Sequence, residues 1–384
     1  MIHVAIIGAG AIAPAHINGY LELSEHCKIV ALCDIYPEKA EKLAKKHGLN
    51  VDIYNDYQQL AERKDIDLVS ICTPPYTHAD TAIALLNAGK HVLVEKPMAS
   101  SLEECDAMNA AAKKNGKILS VVAQNRFRSP MMKLKHVLDS KLMGDIVHTQ
   151  VDSYWWRGFC YYDLWWRGTW EKEGGGPTLN HAVHHIDILQ WMNGMPSEIT
   201  AVMSNAAHHN AEVEDISIAI GKYDNGGLVQ ITSSVIHHGE EQQLIFQGKN
   251  ARVSVPWKVK ASQSRQNGFP KDDPELEEKI QKLYDGQTDL QYEGHAGQIH
   301  DVLQAIQGKK SVLVDGLQGR QTLELITAIY QSASLRETVE LPLTAASPFY
   351  TREGVLKFAT HFYEKQTSIE NFTDEAITTG GNYE

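Results

Sequence analysis

The sequence predicts an α/β domain built on a parallel sheet, followed by an α+β domain whose sheet is mainly antiparallel. Three observations predict it. Over about the first 145 residues short apolar runs alternate with helical patterns, which is the rhythm of βα units. Those runs are rich in Val, Ile and Leu and show no polar face, as strands covered on both sides do. Beyond Gly144 longer runs with alternating polarity follow one another with a single helical pattern among them.

Taken in order, HVAIIG, KIVALCD, VDIY, DLVSIC, HVLVE and KILSVVA are the expected parallel strands, separated by helical segments such as PEKAEKLAKKHG and THADTAIALLNAGK. The second part supplies DIVHTQVDSY, SEITAVMSN, EDISIAIGKY, GLVQITSSVIH and ARVSVPW as strands and TLNHAVHHIDILQWM as one helix. Residues 258–291 are polar and rich in Lys, Asp, Gln and Glu; they read as an insertion or lid carrying a short helix, PELEEKIQKLYDG. Two helical patterns, HAGQIHDVLQAIQ and LQGRQTLELITAIYQSA, precede a tail from about Val339. The expected divisions are 1–125, 126–340 and a tail, 341–384, packing back on the body. WWRG occurs at 155–158 and 165–168, a spacing far too short for a solenoid repeat.

Composition removes several function classes. The 384 residues carry a formal charge of -12, the wrong sign for a nucleic-acid surface, so no nucleic-acid partner is expected. No apolar run approaches the roughly 18 residues of a membrane span, and no membrane association is expected. The start, MIHVAIIGAG, reads as a core strand rather than a secretory signal, and a cytoplasmic location is the expectation. Cys27, Cys33, Cys72, Cys105 and Cys160 are odd in number and form no C-x-x-C pair, which argues for reduced thiols rather than disulfides or a thiolate zinc site. A small-molecule partner remains.

The chemistry sits in a few short motifs. GAGAIA lies between a strand and a helical segment: Gly8 permits the tight turn, Gly10 lets backbone approach a pyrophosphate, and Ala11 and Ile12 lead into a helix N-terminus that favours negative charge. Alone the motif is weak, but Asp34 ends the next strand, where a carboxylate accepts hydrogen bonds from an adenosine ribose. That carboxylate repels a 2′-phosphate, and Ile35 and Tyr36 add no positive charge, so NAD is favoured over NADP. CTPPYTH contributes Thr73, Pro74, Pro75 and His78, and VEKP contributes Glu95 and Lys96. Both follow strands, and ligands collect beyond the carboxyl ends of parallel strands. The alternative for Lys96 is a surface lysine in a proline-bounded turn; its bond to Pro97 is a candidate for cis geometry.

GAGAIA, TPP-x-x-H, EKP and the later GGG-x-x-x-N-x-x-x-H-x-x-D together resemble the glucose–fructose oxidoreductase, inositol dehydrogenase and MocA (Gfo/Idh/MocA) family, over residues 1 to about 340. The resemblance implies a Rossmann domain, then a domain with a large open sheet through which members assemble as homodimers or homotetramers. It implies NAD(P)-dependent oxidation or reduction of a secondary alcohol on a sugar or cyclitol. Lys96 matches the family's active-site lysine and His184 the histidine of its downstream helix. Asn180 stands where inositol dehydrogenases carry aspartate, a departure that leaves the tuning of His184 open. The resemblance also places Asn125, Trp166 and Arg167 near the cofactor or substrate. Arg126, Trp155 and Arg157, from QNRFRSP and WWRG, join Lys96, Asn180 and His184 as candidate substrate contacts, because aromatic faces beside Arg hold hydroxyl-rich rings. Core or interface packing is the competing role for each tryptophan.

At 100° per residue Asn180, His184, Asp187 and Trp191 fall on one helix face, and His181, His185, Ile188 and Met192 on another. His181 and His185 have metalloprotease spacing, but Ala182 stands where the glutamate belongs, so no metal is assigned. The three glycines are expected to run close to the nicotinamide and to start the helix. The resulting expectation is an NAD-dependent dehydrogenase in which His184 takes the hydroxyl proton and Lys96 stabilises the oxygen. Two rivals share these motifs: a glycosidase that retains NAD and acts by transient oxidation and elimination, and a non-enzymatic dinucleotide and sugar sensor.

Overall fold

The structure, a computed structural model, describes residues 1–370 and 372. β1 (Ile2–Ile7) leads through the glycine turn into α1 (Ala13–Glu22), and the alternation continues with β2 (Cys27–Cys33), α2 (Pro37–Lys46), β3 (Asp52–Tyr54), α3 (Tyr57–Glu62), β4 (Leu68–Ile71), α4 (His78–Asn87), β5 (His91–Val94), α5 (Leu102–Asn115) and β6 (Leu119–Val121). Each of the six apolar runs is a strand. They form one parallel sheet in the order β3-β2-β1-β4-β5-β6. The order reverses between β1 and β4, the switch point where such sheets open a ligand crevice. The helices start and stop as their ends dictate. Ser101 accepts from Glu104 N at 3.2 Å while Glu104 accepts from Ser100 N at 2.8 Å, and Gly116 closes α5 at φ 60°. α1 differs, with no side-chain cap and no acidic residue in its first turn.

The chain continues with α6 (Ser129–Asp139), β7 (Ile146–Tyr154), α7 (Pro177–Asn180), α8 (Val183–Asn193), β8 (Glu198–Ser204), β9 (Ile216–Lys222), β10 (Leu228–Ser234), β11 (Gln242–Gly248), β12 (Ala251–Val255), β13 (Lys258–Ser264), β14 (Pro270–Asp272) and α9 (Pro274–Asp285). α10 (Gly294–Ile306), α11 (Gly316–Leu335), β15 (Val339–Glu340) and α12 (Arg352–Phe358) complete it. The second sheet has nine strands in the order β14-β13-β12-β11-β7-β10-β9-β8-β15, antiparallel throughout except where β10 lies parallel to β7.

Two compact units result. Unit 1 comprises Met1–Phe127 and Leu290–Leu323, and unit 2 comprises Arg128–Asp289 and the chain from Glu324 onward. The sequence reading ran the second domain through residue 340, but residues 290–323 join unit 1. Ile299, Val302 and Leu303 of α10 lie in one buried cluster with Ile17 and Tyr20 of α1, and Gln298 donates to Val121 O at 2.7 Å. Helical periodicity shows that a helix exists and says nothing about which core it covers.

Three expectations change. Residues 258–291 are no separate lid. β13 and β14 form the edge of the second sheet, and α9 seals it with Ile280 buried and Tyr284 stacked on Trp257 at 3.7 Å. β13 is exposed at every position but Val259 and Ala261, so it carries little of the apolar alternation that marks a strand. TLNHAVHHIDILQWM is two helices, α7 and α8, broken at His181–Ala182, where Ala182 N bonds back five residues to Pro177 O. Of the expected tail, residues up to 370 belong to unit 2, whereas 371 and 373–384 lie outside the described residues. Cys27, Cys33, Cys72 and Cys105 are buried and Cys160 is exposed, all free thiols.

Candidate functional site

In unit 1 the glycine turn is dictated by contact as well as conformation. Gly8 sits at φ 94°, and a Cβ there would fall 2.7 Å from the Cys72 carbonyl oxygen. A Cβ on Gly10 would meet no protein atom within 4 Å, so protein packing does not require that glycine, and the space beside it is open to a ligand. Asp34 is fixed beside the turn, accepting from Ala9 N at 2.7 Å and from Tyr36 N at 2.9 Å. Gly8, Gly10, Ala11, Ile12 and Asp34 therefore fit a dinucleotide, with the N-terminus of α1 to receive its phosphates and a carboxylate for its ribose. Ile35 is 77% exposed, and Lys39, which the sequence reading did not weigh, stands 4.6 Å over the Tyr36 ring.

The loops after β4 and β5 leave the same edge of the parallel sheet as the glycine turn. They are braced together by His78, which is fully buried with Nδ1 3.0 Å from Pro97 O and Nε2 2.8 Å from Thr73 O. Burial pushes its pKa down, and the backbone carbonyls that face both ring nitrogens oppose it. His78 was expected at the cofactor; its nitrogens are instead taken up in holding Thr73, Pro74 and Pro75 against the segment that follows Lys96. The Lys96–Pro97 bond is cis. Asn125 is buried in the turn after β6. Arg126, expected at the substrate, has no exposed surface, and its guanidinium donates to Gln318 Oε1 at 2.7 Å inside unit 1, which makes it a structural tie.

Glu95 proves to be the centre of a buried network that the sequence reading missed. Its Oε1 is 2.9 Å from His16 Nε2 and 3.5 Å from His295 Nε2, and its Oε2 accepts from Lys96 N at 3.2 Å. Burial alone would raise the carboxyl; the two imidazoles outweigh it and hold it well below the usual range. Among the described residues the ligand atoms of His16, Glu95 and His295 lie within 4.8 Å of one another, a spacing that could hold a metal ion. A hydrogen-bonded chain leads away from the carboxylate: Tyr20 Oη lies 2.6 Å from Ser70 Oγ, Ser70 Oγ 3.2 Å from His16 Nδ1, and His16 Nε2 2.9 Å from Glu95 Oε1. Burial lowers the His16 pKa, with Glu95 opposing. His16 lies one turn into a helix and His295 some 280 residues away, so no spacing rule could have joined them to EKP.

In unit 2 the glycine run is explained by packing. A Cβ on Gly175 would fall 2.3 Å from the Tyr330 hydroxyl, and one on Gly176 2.1 Å from Glu214 O. The expected approach to a nicotinamide is not needed to account for these glycines. The buried Glu214 carboxylate accepts from Gly176 N and Thr178 N, both at 3.1 Å, and from Tyr330 O–H at 3.0 Å, and so anchors the entry to α7. Asn180 donates its amide to Gly175 O and Gly176 O at 2.8 and 3.2 Å, tying the far end of α7 to the same run. The break then starts α8 afresh, so the wheel that placed Asn180 and His184 on one face does not extend across it. Within α8 the separation of neighbours holds: His184 is partly exposed, whereas His185 is fully buried, its pKa lowered by burial to about 4. His181, at the break, packs against Trp155 and Tyr161.

The aromatic loop around residues 155–168 completes unit 2's candidate residues. Trp155 is buried and donates Nε1–H to Ser153 Oγ at 2.9 Å, the core role weighed against substrate contact. Arg157 lies over Trp155 and Tyr161 and pairs with Glu240. Arg167 lies between Tyr161 and Trp166, 4.1 and 4.4 Å from their ring centres, a cation stacked on two π faces. Beneath it Glu173, also missed, accepts from Gly168 N at 2.5 Å; burial raises its pKa to about 7, with Arg167 opposing.

Family models described as an oxidoreductase family with an NAD-binding Rossmann fold, and as that family's C-terminal alpha/beta domain, match residues 2–123 and 135–341. The chain belongs to the Gfo/Idh/MocA oxidoreductase family. This Gfo/Idh/MocA protein is 27% identical over 364 residues to the D-glucoside 3-dehydrogenase of Escherichia coli, covering 88% of its own length and 97% of the relative. It is 33% identical over 194 residues to the inositol 2-dehydrogenase of Salmonella typhimurium, spanning about half of each. Among solved structures it is similar to the WlbA dehydrogenase of Bordetella pertussis in complex with NADH and UDP-GlcNAcA, at 27% identity and a TM-score of 0.77 over 89% of this chain and 98% of that one. Levoglucosan dehydrogenase, at 22% identity and a TM-score of 0.75, shares the fold.

Proposed function

We propose that this family member is an NAD-dependent dehydrogenase acting on a secondary alcohol of a sugar, glycoside or cyclitol, with a D-glucoside as the first substrate to try. The observation that carries the reading lies in unit 1. The glycine turn after β1 and the Glu95–Lys96–Pro97 segment after β5 leave one edge of one parallel sheet, so the fold delivers a lysine to the edge where a dinucleotide fits. The relatives' names, a D-glucoside 3-dehydrogenase and an inositol 2-dehydrogenase, support the substrate class. When bound, NAD supplies the hydride acceptor. The chain's own groups do the rest in this reading. His184 accepts the hydroxyl proton, Lys96 stabilises charge developing on that oxygen, and Arg157, Trp166 and Arg167 present stacked cation and ring faces to the sugar. NADH formation over a panel of sugars, glycosides and inositols tests it. Release of an aglycone with no net NADH would instead identify the NAD-retaining glycosidase, and no turnover of any kind would identify a sensor.

Asp34 sets the dinucleotide preference. NAD is expected to bind at least about ten-fold more tightly than NADP, because the carboxylate held by Ala9 N and Tyr36 N would face a 2′-phosphate. Asp34→Ala with Ile35→Arg should erase or reverse the preference. Titration of wild type with both dinucleotides decides, and tighter NADP binding would show that Lys39 outweighs Asp34.

A homo-oligomer is expected from the open sheet. The sequence reading pointed to ARVSVPW, but Val253 and Val255 are buried; the uncovered apolar face lies on β8 and β9. Val202 is paired with Ile218 across the strands and is 66% exposed, and Ile220, two residues further on, is 56% exposed. Light scattering at micromolar concentration should give a multiple of the chain mass, and Ile218→Asp with Ile220→Lys should lower it. A monomeric wild type removes the expectation.

A further inference from the structure

The aromatic loop of unit 2 has little regular structure of its own, only a single 3-10 turn at Phe159–Asp163. Side chains that hold a ligand must be fixed to within about 0.5 Å, which such a loop cannot do unaided. Its two ends are held within the domain, by the bridge of Trp156 to Ile236, by the pair of Arg157 with Glu240, and by Gly168, which accepts from Glu212 N and donates to Glu173. The stretch between them is fixed by the chain beyond the domain. The family model ends at residue 341, and residues 360–369 then run back along the loop as a strap. Ile369 N donates to Asp163 O at 2.8 Å and Trp165 N donates to Ile369 O at 3.0 Å, one rung of a parallel ladder at Leu164.

Two side chains lock the strap down. The Lys365 ammonium donates to the carbonyls of Tyr162 and Arg167, the latter at 3.0 Å, and so pins the loop on both sides of the Leu164 rung. Asn210 is buried and uses both ends of its amide. Its nitrogen donates to Asp163 Oδ1 at 2.9 Å and Thr367 Oγ1 at 2.7 Å, while its oxygen accepts from Gln366 N at 2.7 Å and Thr367 N at 3.0 Å. Burial lowers the Lys365 pKa, with Glu173, Asp163 and Glu212 opposing. Removing Lys365 takes a donor from the carbonyls of Tyr162 and Arg167 in the loop, and removing Asn210 takes the acceptor from Gln366 N and Thr367 N in the strap.

We infer that residues 360–369 are a positioning strap, with Lys365 and Asn210 as its anchors, that holds Trp166 and Arg167 in the geometry that binds the sugar. The inference rests on the proposed dehydrogenase reading for its kinetic arm alone. Strap residues lie outside what the family model matches, so the strap gives this chain a means of setting sugar selectivity that the shared domains do not specify.

The test compares wild type, Lys365→Ala and Asn210→Ala in the full chain, with methyl D-glucosides as probes. Each variant should raise the glucoside KM by about ten-fold or more while kcat and NADH affinity stay within about three-fold, since the strap touches no reacting group. Hydrogen exchange should accelerate by about ten-fold at the amides of residues 159–168 and remain unchanged in β9 and β10. Faster loop exchange with an unchanged KM overturns the positioning role. Loss of NADH affinity together with faster exchange in β9 and β10 overturns it as well, by showing a general loss of fold. If wild type turns over no glucoside or other panel member, the proposed function fails, and the strap is judged by exchange alone: acceleration confined to the loop supports it and unchanged rates overturn it.

Discussion

His184→Ala is expected to lower turnover by roughly 10²–10⁴-fold, the range for a lost general base, with little change in NAD affinity. The neighbouring histidines provide the control, for reasons their surroundings supply. His185 is fully buried, and burial holds its pKa near 4, so it stays neutral at working pH and has no exposed surface from which to reach a substrate. His185→Ala should therefore cost stability, roughly 2–4 kcal/mol as for other large-to-small core changes, and leave the hydride step nearly intact in the folded fraction. His181 packs on Trp155 and Tyr161 at the break between α7 and α8, and His181→Ala should loosen the aromatic loop and act mainly on KM. Single-turnover hydride transfer at saturating NAD separates these effects from binding. If His185→Ala with an intact fold slows that step as much as His184→Ala, the assignment of the base to His184 is wrong.

The parallel sheet was legible because its strands are buried on both faces and its motifs are local. GAGAIA and Asp34 lie within one βα unit, and so the residues that meet in space are also close in sequence. The second sheet was legible in part. β7 to β10 and β12 were found; β11 was missed although its burial alternates, and the largely exposed β13 and β14 carried little apolar signal and read as an insertion. The glycines of 174–176 show a subtler failure. Their spacing suggested ligand approach, but what requires two of them is Tyr330 and Glu214, which come from distant parts of the chain and leave no trace in a local pattern. Arg126 and His78 err the same way. Position at a strand end suggested a ligand contact, and only the packing shows one tied to Gln318 and the other spent on backbone carbonyls.

Lys96→Ala is expected to reduce turnover by roughly 10²–10³-fold, comparable to the loss of one preorganised donor to a developing oxyanion. The surrounding network makes the experiment interpretable. The Lys96 backbone is held through Glu95, which accepts from Lys96 N and is itself held by His16 and His295, and none of these bonds involves the lysine side chain. Cutting the side chain back to alanine therefore leaves the loop anchored, so NAD affinity should change by less than about three-fold while the hydride step slows. Glu95→Gln acts in the opposite sense. It keeps the ammonium but replaces the buried anion that pairs with two imidazoles, and it should perturb NAD affinity and thermal stability together. Lys96→Arg should not rescue, because a planar fork does not reproduce a compact point charge aimed at one oxygen. The measurement is single-turnover NADH formation beside NADH affinity for the three variants. A Lys96→Ala enzyme within about ten-fold of wild type in the hydride step would return Lys96 to the role of a surface lysine in a proline-bounded turn and leave the oxygen's charge to another donor.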